Sequence, residues 1–154
     1  MALPLEPSIT FDPKQVLGKV KTDTHYLVSV GVGGSTEMGL DGKLTRFLET
    51  KDNKRYDITG RFSVYVKGAT EYWLGSCNSE GIITRRNGAN TLEVNWDGGD
   101  PSIFPLGSLV PQSYPGVTAV PDLVTGQIKF TVGNDVGPNV TIGYLDIKVN
   151  EFEI

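Results

Sequence analysis

Short runs of alternating apolar and polar residues, cut off by Gly, Pro and Asn-Gly or Asp-Gly pairs, constrain this chain most. Strand side chains point to opposite faces in turn, so a period of two marks a half-buried strand. Arg61 to Lys67 sets Phe62, Val64 and Val66 on one face and Ser63 and Tyr65 on the other. Thr91 to Trp96 groups Leu92, Val94 and Trp96, and Gln127 to Val132 groups Ile128, Phe130 and Val132. His25 to Val32 places Tyr26, Val28, Val30 and Val32 together. Asp41-Gly42 and Asn87-Gly88 are turn pairs suited to positive φ, and Lys51 to Lys54 reads as a further turn. The 19 Gly and 9 Pro keep each run short.

Strands are expected near 25–32, 43–49, 55–58, 61–67, 71–76, 81–85, 91–96, 127–132 and 140–153. Turns spaced in this way predict an all-β fold: an antiparallel β-sandwich, jelly-roll-like, of about eight or nine strands. An immunoglobulin-like sandwich is the alternative, but its Cys…Trp…Cys spacing is absent. One short helix is expected near the N-terminus. Asp12 can cap it, Pro13 suits its first position, and Val16, Leu17 and Val20 form a stripe. Gly18 limits it to one or two turns. In the last strand the apolar phase changes at Gly143 and near Asn150, which predicts a bulge or bend at Gly143.

A chain of 154 residues is one domain, large enough to bury a core without cross-links. Residues 1–13 read as an extended N-terminal arm held open by Pro4, Pro7 and Pro13, and 14–154 as a single sandwich domain. Within it, 97–122 is a long loop containing Pro101, Pro105, Pro111, Pro115 and Pro121. Proline removes ladder donors, so this is not a central strand. Ile103, Phe104, Leu106, Leu109, Val110 and Tyr114 make it too apolar for a solvated linker. It either covers one end of the sandwich, packs on a partner subunit, or closes over a ligand.

Composition narrows the function. Fourteen Lys and Arg against 18 Asp and Glu leave a net charge of −4. Phosphate binding needs surplus cations, so no direct contact with nucleic acid is expected. One Cys (Cys77) excludes an internal disulfide framework, and one His (His25) excludes His-cluster metal sites. A Ser–His–Asp triad would have to use His25, and no other acid–base group is assembled, so the chain is expected not to be an enzyme and to need no cofactor or metal. Cys77 reads as a small packing residue. The N-terminus has no basic and apolar leader pattern, and no apolar run approaches the roughly 20 residues of a membrane span. A soluble protein made in the cytoplasm is expected.

Three segments invite other chemistry. Gly31 to Thr36 is Gly-rich, but it lacks the Lys and the glycine spacing of phosphate loops, and reads as a turn. Asn139-Val-Thr141 matches a glycosylation sequon, which matters only in a secreted protein. Asn95 to Asp100 joins a ring, Trp96, to the carboxylates Asp97 and Asp100, an alternative site for a glycan or calcium. Tyr72 and Trp73 are a second aromatic pair for such a module. Charge is also uneven. Residues 43–67 carry seven basic and three acidic groups, whereas 87–154 carry two basic and eight acidic ones. Opposed patches of this kind favour docking between copies or on a partner.

Gly126 to Val132, followed by Thr141 to Ile154, resembles the last two strands of viral jelly-roll shell proteins. Those chains often end in a long strand with alternating apolar residues and acids near its end. The whole chain resembles small jelly-roll proteins that decorate or cement bacteriophage heads. The resemblance implies a non-enzymatic virion structural protein on the capsid surface. Its partners would be further copies of itself, as a trimer for instance, and the major capsid protein. Residues 1–13 contain Glu6 and Asp12 but no Lys or Arg, unlike the basic tails of genome-enclosing coats. That points to an external or accessory component. The contacts expected with partners are Leu3, Leu5 and Phe11 in the arm and Phe104, Leu106, Leu109 and Tyr114 in the loop. A carbohydrate- or receptor-binding module, a fibre tip or lectin-like domain, is the alternative function.

Overall fold

The computed structural model describes residues 20–40, 47–69, 72–105, 112–135 and 138–154. Twelve strands run through them: β1 (Val20–Gly31), β2 (Ser35–Glu37), β3 (Gly39–Leu40), β4 (Phe47–Glu49), β5 (Lys54–Lys67), β6 (Tyr72–Arg85), β7 (Leu92–Asp97), β8 (Ser102–Pro105), β9 (Gln112–Ser113), β10 (Thr118–Asp122), β11 (Gln127–Gly133) and β12 (Val140–Glu153). A single 3-10 turn, Ala89–Thr91, joins β6 to β7. The fold is an all-β sandwich of two antiparallel sheets. No helix among the described residues is long and apolar enough to cross a membrane.

The large sheet has the order β3-β1-β12-β5-β6-β8-β9, with β7 also on β6. Its three central strands have 14 residues each, about 45 Å of extended chain. β7 and β8 share one edge of β6, against Glu80–Arg85 and Trp73–Ser76 respectively. Between them the chain dips inward at Gly98, whose carbonyl accepts hydrogen bonds from Ser79 Oγ at 2.8 Å and Cys77 Sγ at 3.4 Å. The small sheet has β10 on one edge of β11 and β2 and β4 on the other.

Burial follows the alternation. Phe62, Val64 and Val66 from β5 meet Ile128, Phe130 and Val132 from β11, as their spacing predicts. Trp96 joins this core from β7, its ring edge-on to Phe130 with centroids 5.3 Å apart. Asp122 Oδ1 accepts from the amides of Val124 and Thr125 and shapes the β10–β11 turn.

Several expectations are corrected. The pairs 55–58 with 61–67, and 71–76 with 81–85, are each one continuous strand. No bulge interrupts β12 at Gly143: its register with β1 and with β5 is unbroken. The apparent phase change arises because Thr141 and Gly143 occupy inward positions while Ile142 lies on the outer face. Gly143 is needed there, since a Cβ would stand 2.6 Å from Ser29 Oγ and 2.9 Å from Val132 Cγ2. Asn87-Gly88 does not form a two-residue turn, because only Gly88 has positive φ and the 3-10 turn follows. The proline-rich segment yields three strands: β9 and β10 are sheet edges, and β8 lies between β6 and β9 with Pro105 beyond the two residues, Ser102 and Ile103, that pair with β9, so missing donors cost little. The arm, the expected helix up to residue 19, and Asp41-Gly42 lie outside the described residues, and Val20 opens β1.

Candidate functional site: the outer face of the large sheet

β1 carries its apolar side chains on both faces. Leu27 points into the core, whereas Tyr26, Val28 and Val30, the group picked out by spacing, face away from it. Strand register extends that exposed group across the sheet. Val30 lies opposite Ile142, Ile142 opposite Tyr65, Tyr65 opposite Leu74, and Leu74 opposite Phe104. One row of apolar and aromatic residues thus crosses five strands on the outer face. Val30 is 60% exposed, Leu74 61% and Phe104 44%. Single exposed apolar residues are ordinary, whereas a contiguous row of them is not.

Neighbouring rows shape this one. Val28 and Tyr144 pair directly, and Tyr144 stacks on Tyr26 with centroids 6.1 Å apart and planes at 27°. Beyond them the same row continues through Ser63, Ser76 and Ser102, which keep the surface low. The next row is charged: Tyr26, Asp146, Arg61 and Asn78 follow one another. Arg61 turns towards β6, donating from Nη2 to Ser76 Oγ at 2.7 Å and from Nη1 to Asn78 Oδ1 at 3.1 Å. Asp146, its register neighbour, forms no ion pair among the described residues. Towards the far end of the sheet, Asp57, Glu80, Asn95 and Asp97 line a shallow depression of about 360 Å³.

The chain matches no family model, no curated protein and no solved structure.

The residues expected from sequence fall in different places. Phe104 joins the outer row. Tyr114 does not: it is only 6% exposed, and its hydroxyl donates to the Gly133 carbonyl at 2.7 Å beside Thr141. Its ring is core, not a partner contact, because the chain turns inward there to meet β11 and β12; burial pushes the phenol above its usual range. Leu3, Leu5, Phe11, Leu106 and Leu109 lie outside the described residues.

Trp96 and Asp97 do not converge, and Asp100 is an exposed residue of the segment between β7 and β8. Trp96 faces the core and its Nε1 donates to the Val117 carbonyl at 2.9 Å. Asp97 is on the opposite face of β7, where Oδ1 accepts from the Gly99 amide. Among the described residues no three His, Cys, Asp or Glu groups stand close enough to hold a metal. Gly31 to Thr36 is a turn fastened by Asn134, whose Nδ2 donates to the Gly33 carbonyl and to Thr36 Oγ1. Asn139 Nδ2 donates to Asp135 Oδ2 at 2.7 Å. Burial raises the Cys77 thiol above its usual range, which keeps it protonated at neutral pH.

Sequence reasoning missed Ile142, Tyr65 and Leu74 as one surface. Each is unremarkable in its own strand, and only register brings them into line. It also missed Leu123 and Val124 at the β10–β11 turn, where Val124 is 89% exposed.

Proposed function

We propose that this chain is a non-enzymatic structural protein that acts through protein–protein contacts made by the outer face of its large sheet. The observation that carries this reading is the row Val30, Ile142, Tyr65, Leu74 and Phe104. Burying such a row against a neighbour removes apolar area from water at roughly 25 cal/mol per Å². The serine-lined row beside it lets a neighbour approach closely, and the charged row beyond sets its register.

The setting we assign is a virion, as a capsid decoration or cement protein that stabilises a shell through oligomeric contacts. The two-sheet sandwich and the long acidic-ended last strand, which resembles those of viral shell proteins, support this setting. The test is whether the chain co-purifies with assembled particles from cells that express its gene, and whether Leu74→Glu releases it. Recovery of the folded chain only as free protein contradicts the reading.

A further inference from the structure

The outer face carries a charge pattern that can satisfy itself. Arg61 on β5 and Asp146 on β12 are Cα partners in adjacent strands, at the same height on the same face. Arg61 spends its two terminal nitrogens on Asn78 and Ser76 of β6, leaving its Nε–H without a hydrogen-bond partner among the described residues. The Asp146 carboxylate has no cation among them either. An unpaired acid beside a cation that turns away is an arrangement a second charge pair can complete.

We propose that the occupant of this face is a second copy of the chain, docked face to face about a two-fold axis that runs along the strands midway between β5 and β12. This rests on the docking reading above and names its partner. Such an axis lays each β5 over the partner's β12 and each β6 over the partner's β1. Arg61 then crosses the partner's Asp146, and by symmetry Asp146 crosses the partner's Arg61, so both ion pairs form at once. In the apolar row Tyr65 crosses the partner's Ile142. Leu74 crosses the partner's Val30, which brings together the two most exposed side chains of the row.

The charges select this axis from its neighbours. Moving it onto β5 sets Arg61 against the partner's Arg61, and moving it onto β12 sets Asp146 against the partner's Asp146. Both are like-charge contacts that oppose association. The dimensions also suit a stable dimer. β12, β5 and β6 at about 45 Å, β1 at about 40 Å and the short β8, set about 4.8 Å apart, present roughly 900 Å², close to the roughly 800 Å² per partner of a standard interface. The pair is a two-fold dimer, in place of the trimer suggested by the resemblance.

The experiment uses the full chain, with light scattering for mass and circular dichroism to confirm that each variant is folded. Arg61→Asp alone and Asp146→Arg alone place like charges at both crossings, and each is expected to weaken self-association on the order of ten-fold or more. Mixing the two variants restores opposite charges at both crossings, so the mixture is expected to associate as the native chain does. A folded mixture that stays monomeric where the native chain associates overturns the two-fold arrangement. If Leu74→Ser still weakens native association in that case, the docking face stands and only the axis falls. A native chain that stays monomeric, together with a Leu74→Glu variant that attaches to particles as well as the native chain does, overturns both.

Discussion

The indole Nε1 of Trp96 donates to the carbonyl of Val117 at 2.9 Å, tying β7 of the large sheet to the chain entering β10 of the small one. The ring that the sequence offers as a ligand plate is a strut between sheets. Trp96→Phe removes the donor and leaves the carbonyl partly unpaired, at a cost of about 1–2 kcal/mol. Chemical denaturation measures it. A change within error, accompanied by lost glycan binding, would return the ligand-plate reading.

Gly143 fits where it does because no side chain could. A Cβ there meets Ser29 Oγ at 2.6 Å and Val132 Cγ2 at 2.9 Å, one from each sheet. Gly143→Val overpacks the interior and is expected to destabilise by about 1–3 kcal/mol. A shift in denaturation midpoint reads this out. An unchanged midpoint means β12 does not hold the register described.

Tyr114→Phe keeps the buried ring and removes only the hydroxyl that serves the Gly133 carbonyl. The expected loss is about 1 kcal/mol, with self-association unaltered. Weakened association with unaltered stability would put Tyr114 back at a partner contact.

The β10–β11 turn is pH-sensitive at its cap. The amides of Val124 and Thr125 hold the Asp122 carboxyl below its ordinary value of 3.8. Because the folded form favours the carboxylate, the stabilisation is present above the unfolded value and is lost as pH falls through the lower, folded one. An NMR titration of the Val124 and Thr125 amide shifts should show a midpoint below 3.8. A midpoint at or above that value contradicts the capping role.

Strand content and the main core were legible in the sequence because alternation reports directly on faces. Phe62, Val64 and Val66, and Ile128, Phe130 and Val132, are inward as their spacing predicts. Alternation cannot say which face is the core when the more apolar face is turned outward, and β1 is that case. Leu27 is buried, whereas Tyr26, Val28 and Val30 are not. The β12 phase misled for the same reason: buried Thr141 looks polar until Asp135 N and Tyr114 are seen bonding to it. The outer row was beyond reach, since Val30, Ile142, Tyr65, Leu74 and Phe104 come from five strands and meet only through register.

Solution mass over a dilution series tests self-association through that row. Twice 16.7 kDa is expected at high concentration, falling towards 16.7 kDa on dilution. The double variant Leu74→Ser with Phe104→Ser is expected to stay at 16.7 kDa with an unchanged circular dichroism spectrum. A native chain that is monomeric at every concentration, or a double variant that associates as the native chain does, contradicts self-association through that row.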